Sequence, residues 1–102
     1  MIKLGKHVIS ENSPCFVIAE LGHNHQSDAE TAKKLIDRAA ACGAQAVKLQ
    51  KRFNEELYTA EMYNIPYEHE DSFGKIYGKH REALEFGKKE YVELKNMLTN
   101  VI

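Results

Sequence analysis

The chain has 102 residues, of which 14 are basic and 15 acidic, and its formal net charge is −1 at pH 7. This near balance argues against the strongly basic surface that nucleic acids or anionic membranes select, so we expect neither as a partner. No segment approaches the roughly 18 apolar residues of a membrane span, and the N-terminus lacks a signal-peptide pattern, so we expect a cytoplasmic protein.

The first predicted elements are short strands. Residues 6–9 have the pattern of an edge strand, and residues 11–14, ENSP, have the composition of a turn. Residues 15–21, CFVIAEL, form a longer apolar run that predicts a buried strand. We therefore expect a short N-terminal hairpin beneath a sheet.

An amphipathic helix is predicted next. Ser27 and Glu30 have the spacing of a capping box, so the helix should begin at Asp28. Gly43 supplies the left-handed residue that commonly ends a helix. Between these limits apolar side chains recur at three- and four-residue steps, which gives a stripe suited to packing on a sheet. They are Ala29, Ala32, Leu35, Ile36, Ala39 and Ala40.

A second strand is predicted at residues 44–50, AQAVKLQ, and completes a β-α-β unit with two parallel neighbouring strands. Side chains alternate between the faces of a strand, so Lys48 and Gln50 share one face while Val47 lies on the other. Ligands of such sheets bind beyond the carboxyl ends of the strands. We expect Glu20, Lys48 and Gln50 to converge on one site that faces away from the helix.

The segment after residue 50 has no clear periodicity for about thirty residues, a length that is usually functional or disordered when it lacks secondary structure. It carries the aromatic residues Phe53, Tyr58, Tyr63, Tyr67, Phe73 and Tyr77. These side chains would either form a lid over a bound ligand or pack on neighbouring helices. A brief helix is expected at residues 80–86, and a longer helix from Lys88.

Two parallel strands are too few for an independent sheet, because parallel sheets need cover on both faces. A closed (β/α)8 barrel takes about 250 residues. The expected fold class is therefore α/β, with the chain forming the N-terminal portion of an incomplete TIM barrel: a short hairpin followed by β-α-β-α. The uncovered strand edge and inner face predict self-association or a homo-oligomer.

The segment FVIAELGHNHQSDAETAKKLIDRAAACGAQAVKLQ, residues 16–50, resembles the N-terminal part of the sialic acid synthase family. Members of that family have a strand ending in AE(I/L)G, an NH pair, an AKKLID-type helix and a strand containing AVK-x-Q. The resemblance continues through SFGKIYGKHREALEF at residues 72–86 and EYVEL at residues 90–94, where it is nearest to the animal synthases. Residues 1–102 are thus identified as the N-terminal part of that family's TIM-barrel domain.

The resemblance implies a transferase of carbohydrate biosynthesis that condenses phosphoenolpyruvate with an N-acetylated amino-sugar aldehyde to give a sialic-acid-type nonulosonate. The sugar would be N-acetylmannosamine, its 6-phosphate or a bacillosamine-derived sugar. A divalent metal, Mn²⁺ or Mg²⁺, would polarise the aldehyde carbonyl in the complete enzyme, with ligands from later strands outside this chain. Because those strands also complete the substrate pockets, we expect no catalysis by this chain alone.

The resemblance also implies roles for individual residues. Lys48 would bind an anionic oxygen of phosphoenolpyruvate, and Gln50 would donate an amide N–H beside it. Glu20 would be the catalytic residue that orients the attacking water or moves a proton. Asn24 and His25 would contact substrate at the rim or support the residues that do.

Alternatives remain open for these assignments. In the alternative to a functional site, Glu20 and Lys48 form only a structural ion pair between adjacent strand ends. His23 and His25 are expected to be polar loop residues rather than metal ligands. At the level of function, the alternatives are a non-catalytic α/β module that acts by association and another phosphoenolpyruvate-dependent sugar-acid synthase.

Overall fold

The computed structural model describes residues 1–101, with side chains through residue 99. The chain has an α/β fold with two separate two-stranded sheets, β1 with β2 and β3 with β4. No helix in this part of the chain has the length and hydropathy needed to cross a lipid bilayer. The elements are β1 (Ile2–Leu4), β2 (His7–Ile9), β3 (Ile18–Gly22), α1 (Ala29–Ala41), β4 (Ala46–Leu49), α2 (Asn54–Leu57), α3 (Ala60–Tyr63), α4 (Tyr77–Ala83) and α5 (Lys88–Val101).

An N-terminal hairpin is present, but it lies within the first nine residues, and the predicted hairpin across the turn at residues 11–14 is wrong because β2 and β3 are in separate sheets. β1 and β2 pair antiparallel, with Ile2 opposite Ile9. Gly5 turns the chain between them with a φ of +57°, a left-handed conformation that glycine adopts without the steric cost of a Cβ. The strand expected at residues 6–9 is thus β2, and its partner β1 was not predicted. The segment at residues 11–14 connects this hairpin to the second sheet.

The capping box predicted for α1 is wrong by one residue. Asp28 is the N-cap: its Oδ1 accepts a hydrogen bond from the Glu30 backbone N–H at 3.1 Å, and its Oδ2 accepts from the Thr31 hydroxyl at 2.7 Å. Ser27 has a φ of +64° and not the extended backbone that an N-cap requires. Its hydroxyl donates instead to the Glu85 carbonyl oxygen at 2.9 Å. Gly43 ends the helix region with a φ of +92°, as the sequence predicts.

The predicted β-α-β unit is present. β3 and β4 are parallel neighbours, with Ala19 opposite Val47 and Glu20 opposite Lys48, and an irregularity in the ladder follows Glu20. Ala19 and Val47 pack against the hydrophobic core, whereas the next residue on each strand is exposed. The period-two alternation therefore directs Glu20 and Lys48 to the face opposite α1.

The core lies between the β3–β4 sheet, α1 and α5. Its buried side chains are Leu21, Ala32, Ile36, Phe86 and Leu94. The other face of the sheet is open: Ile18, the first residue of β3, is 55% exposed. Within residues 1–101 the packed helices lie on one face of the two-stranded sheet, and no closed barrel forms.

The aromatic segment is folded without long elements. α2 and α3 have four residues each, an isolated bridge joins Pro66 to Ile76, and α4 begins at Tyr77, ahead of the helix expected at residues 80–86. Tyr77 packs edge-on against the rings of Tyr58 and Tyr67 at centroid distances of 5.2 and 5.3 Å. For these rings the structure matches the packing interpretation. α5 begins at Lys88, as expected.

Candidate functional site

The carboxyl ends of β3 and β4 present a carboxylate beside an ammonium group. Lys48 Nζ lies 2.9 Å from Glu20 Oε2, and the two side chains are 61% and 48% exposed. Solvent screening leaves such an exposed ion pair worth only about 0–1 kcal/mol. The pair contributes little to folding, and both groups remain accessible to a ligand.

Gln50 lies beyond the end of β4 and makes different contacts. Its Oε1 accepts a hydrogen bond from Arg52 Nη2 at 2.9 Å, and its backbone oxygen accepts from the Tyr91 hydroxyl at 2.8 Å. Among the described residues, no hydrogen bond or ion pair joins Gln50 to Glu20 or Lys48. The structure thus brings Glu20 and Lys48 together, and places Gln50 beside the basic residues that follow the strand.

Asn24 and His25 occupy unlike positions in the turn after β3. Asn24 is exposed and lines a cavity of about 420 Å³. The His25 side chain is fully buried and stacks on Phe86 with a centroid separation of 3.8 Å, while its Nδ1 accepts a hydrogen bond from the Ser27 backbone N–H at 3.0 Å. Of the two roles considered for His25, this position corresponds to support of the turn and not to a contact at the rim.

His23 forms a buried polar cluster that sequence reasoning did not identify. Its Nε2 lies 3.0 Å from Glu85 Oε1, and the two side chains are only 7% and 9% exposed. On the other side of the ring, Arg81 Nη2 lies 3.2 Å from Nδ1. Glu85 Oε2 also lies 3.3 Å from Lys51 Nζ and accepts from the Arg52 backbone N–H at 3.3 Å. We call His23, Lys51, Arg52, Arg81 and Glu85 the basic cluster.

The charges around His23 keep its ring neutral near pH 7. Burial lowers the pKa of His23 below 6.5, Glu85 opposes this shift, and the Arg81 and Arg52 guanidinium groups lower the pKa further. Arginine can only donate hydrogen bonds, so Nδ1 is assigned as the acceptor and Nε2 carries the proton. The Nε2–Oε1 contact to Glu85 is short but lacks hydrogen-bond geometry.

The basic cluster separates two cavities at the same end of the sheet. The larger, of about 420 Å³, is lined by His23, Gln50 and Arg81, with Tyr67 and His80 on its aromatic side. The smaller, of about 240 Å³, is lined by Lys51, Arg52 and Glu85. The basic cluster has three cations and one carboxylate, but the two cavities are also lined by Asp71, Glu55, Glu56 and Glu82, so the charge at this end of the sheet is mixed.

Comparisons with known proteins place the chain in a family. Residues 35–101 match the NeuB family. The chain is 42% identical to the N-acetylneuraminate-9-phosphate synthase of Mus musculus over 90% of its own length and 24% of that protein. It is 53% identical to the N,N'-diacetyllegionaminic acid synthase of Legionella pneumophila over 35% of its length and 10% of that protein.

A solved structure gives the same result for the fold. The chain is similar to the N-acetylneuraminic acid (sialic acid) synthetase of Leptospira borgpetersenii, crystallised in complex with citrate, with a TM-score of 0.71 and 35% identity. That similarity covers 97% of this chain and 30% of the synthetase, and the chain spans about a quarter (24%) of the mouse relative. The resemblance to sialic acid synthases is confirmed. The chain therefore belongs to the NeuB family.

Proposed function

We propose that this chain supplies the first strand ends of a TIM-barrel synthase that condenses phosphoenolpyruvate with an N-acetylated amino-sugar aldehyde. C3 of phosphoenolpyruvate forms the new bond to the aldehyde carbon, water adds at C2, and inorganic phosphate leaves, which yields a sialic-acid-type nonulosonate. The single observation that carries the proposal is the Glu20–Lys48 pair, exposed at the carboxyl ends of adjacent parallel strands. The names of the relatives, which are synthases of N-acetylneuraminate 9-phosphate and of N,N'-diacetyllegionaminic acid, support the class of product.

Lys48 is suited to bind the phosphate or carboxylate of phosphoenolpyruvate. An ammonium group has three N–H donors, and the contact to Glu20 uses one of them. The remaining donors face solvent on the open side of the sheet, where an anion has access. Glu20 positions the ammonium group, and its second oxygen can orient water or accept a proton. Gln50, Asn24 and His25 act in support from the neighbouring turn.

The divalent metal implied by the resemblance finds no complete site among the described residues. Within residues 1–101, no three His, Cys, Asp or Glu side chains lie close enough together to hold a metal ion. His23 and Glu85 supply only two donors, and three cations surround them. We therefore assign no step to a metal held by these residues.

The open face of the β3–β4 sheet supports an assembly proposal. Ile18 is exposed there, beside strand edges that are unpaired among the described residues. Exposed edges and apolar faces recruit other chains. We expect the isolated chain to associate with itself, as measured by light scattering. A monodisperse monomer with strongly protected β3 and β4 amides would instead favour a self-sufficient module.

The proposed reaction is tested in a chimera in which this chain replaces the matching segment of the mouse relative. We expect phosphate release that depends on both phosphoenolpyruvate and an amino sugar. Lys48→Ala removes a charge-assisted hydrogen bond worth roughly 1.5–3 kcal/mol, so kcat/KM for phosphoenolpyruvate should fall by about 10- to 150-fold. Glu20→Gln should lower kcat with little change in the KM for phosphoenolpyruvate.

The matched control is Lys34→Ala, which removes an exposed lysine from α1. This variant should leave both kinetic constants unchanged. An unaltered phosphoenolpyruvate dependence in Lys48→Ala contradicts the proposed role of Lys48. A chimera that has the circular dichroism of the mouse enzyme but no synthase activity favours the alternative of a non-catalytic module.

A further inference from the structure

The side-chain amide of Gln50 is held by an arginine that follows it closely in the chain. Arg52 Nη2 donates a hydrogen bond to Gln50 Oε1 at 2.9 Å. A guanidinium group has N–H donors and no acceptor, so only the oxygen of an amide can face it. The contact therefore fixes which way round the Gln50 amide lies, with Nε2 turned away from Arg52.

Arg52 is itself anchored at two further points. Its backbone N–H donates to Glu85 Oε2 at 3.3 Å, and the Glu85 side chain is only 9% exposed. Its Nη1 donates to the Tyr58 hydroxyl oxygen at 3.4 Å. Because both the backbone and the far end of Arg52 have partners, the guanidinium group is held beside Gln50.

The backbone of Gln50 is also held, whereas its N–H donors are not used. The Tyr91 hydroxyl of α5 donates to the Gln50 backbone oxygen at 2.8 Å. Among the described residues, Gln50 Nε2 donates to no acceptor, and it is not one of the buried polar atoms that lack a partner. Its two N–H groups are therefore accessible beyond the carboxyl end of β4, where ligands of parallel sheets bind.

The cavity beside Gln50 has the size of a small-molecule site. Its volume of about 420 Å³ lies within the roughly 300–1,000 Å³ typical of such sites. Gln50 lines this cavity, whereas Arg52 lines the smaller one. Asp71 also lines the larger cavity, so selection by Gln50 depends on the direction of its N–H donors and not on an excess of positive charge.

On the basis of the proposed function, we propose that Arg52 is a positioning residue, which holds the Gln50 amide with its N–H donors toward an oxygen of phosphoenolpyruvate. Without Arg52 the amide is free to turn over, and in one of its two orientations its own oxygen faces the anion. Binding must then stop this rotation and exclude the repulsive orientation, which lowers the affinity. Arg52 makes no contact with the substrate and acts only through Gln50.

The test in the chimera with the mouse relative is a double-mutant cycle between Arg52 and Gln50. Arg52→Met removes the guanidinium donors and keeps an unbranched side chain. We expect the KM for phosphoenolpyruvate to rise about three- to tenfold, with kcat changed by less than about twofold. In a Gln50→Ala background the same substitution should add less than about twofold, because no amide remains to be positioned.

Arg38→Met, which changes an exposed arginine on α1, is the matched control and should leave both constants unchanged. Arg52→Lys keeps a charged donor, so it should recover part of the loss, and it replaces Arg52→Met if that variant fails to fold. Equal effects of Arg52→Met with and without the Gln50 side chain overturn the positioning role. The same holds for a KM in Arg52→Met that equals the KM in Arg38→Met.

A second measurement needs no substrate: NMR relaxation of the Gln50 side-chain amide in the 102-residue chain. We expect the order parameter of Gln50 Nε2 to fall in Arg52→Met and to keep its parent value in Arg38→Met, because only the first variant releases the amide. An order parameter that is unchanged in Arg52→Met overturns the proposal.

These outcomes separate the positioning role from the proposed reaction. Loss of Gln50 side-chain order in Arg52→Met, together with a chimera that has no synthase activity, leaves the positioning of the amide intact and contradicts the proposed function. An active chimera whose KM for phosphoenolpyruvate depends on Lys48 but not on Arg52 does the reverse.

Discussion

The β3–α1–β4 unit and the segment from Lys51 to Phe86 both contribute to the candidate site, but they are stabilised in different ways. In the unit, periodic apolar residues pack α1 on one face of the sheet, and alternation leaves Glu20 and Lys48 on the other. In the segment, helices of four to seven residues are joined mainly by aromatic contacts and polar hydrogen bonds. The strand ends are therefore fixed by the core, whereas the basic cluster depends on a segment of lower local stability.

The largest effect on stability is expected at Phe86, where the two regions meet. Phe86 is 2% exposed, belongs to the core and stacks on His25. Phe86→Ala should lower the free energy of unfolding by about 3–5 kcal/mol, because it removes buried ring surface and leaves a cavity. Urea denaturation followed by circular dichroism measures the change.

Phe53→Ala is the matched control, since Phe53 is 73% exposed in the same segment. Its effect should stay within about 0.5 kcal/mol. Equal destabilisation by the two variants would mean that the segment does not depend on the core at Phe86, and the contrast between the regions would have to be abandoned.

The contrast also explains how much of the molecule the sequence predicts. The faces of β3 and β4 follow from a two-residue period, and the position of Gly43 follows from the end of an apolar stripe. The basic cluster has no such signal, because Arg81 meets His23 across 58 residues of chain that include an aperiodic segment. The N-cap was misplaced because Ser27 adopts a positive φ that no neighbouring residue predicts.

A pH change should sharpen the comparison, because three buried histidines lie at or near the junction of the two regions. Burial is the main cause that lowers the pKa of His23, His25 and His80 below 6.5. The unfolded chain therefore takes up protons before the native chain as the pH falls. The contribution of the three neutral histidines to the free energy of unfolding is fully present above pH 6.5. It is lost as the pH falls from there through their native pKa values.

The measurement is the urea midpoint between about pH 7 and pH 5, a window above the ordinary pKa of the carboxyl groups. We expect the midpoint to fall on acidification, and His25→Gln to reduce that fall. A midpoint that is constant or rises across this window contradicts the account of the buried rings.

A smaller effect is expected from the corrected cap of α1. Asp28→Ala removes the side chain that accepts from the Glu30 backbone N–H, so it should cost about 0.5–2 kcal/mol of unfolding free energy. Asp37→Ala removes an exposed carboxylate from the middle of the same helix and should cost less. Equal losses in the two variants, measured by thermal denaturation, would argue against Asp28 as the N-cap.

The most direct test of the proposed function is a residue-resolved NMR titration of the chain with phosphoenolpyruvate. The account predicts saturable amide shifts at Glu20 and Lys48, at the carboxyl ends of β3 and β4, that weaken strongly in Lys48→Ala and persist in Lys34→Ala. Saturable shifts confined to the β1–β2 hairpin, or a response at Glu20 and Lys48 that is the same in both variants, would contradict it.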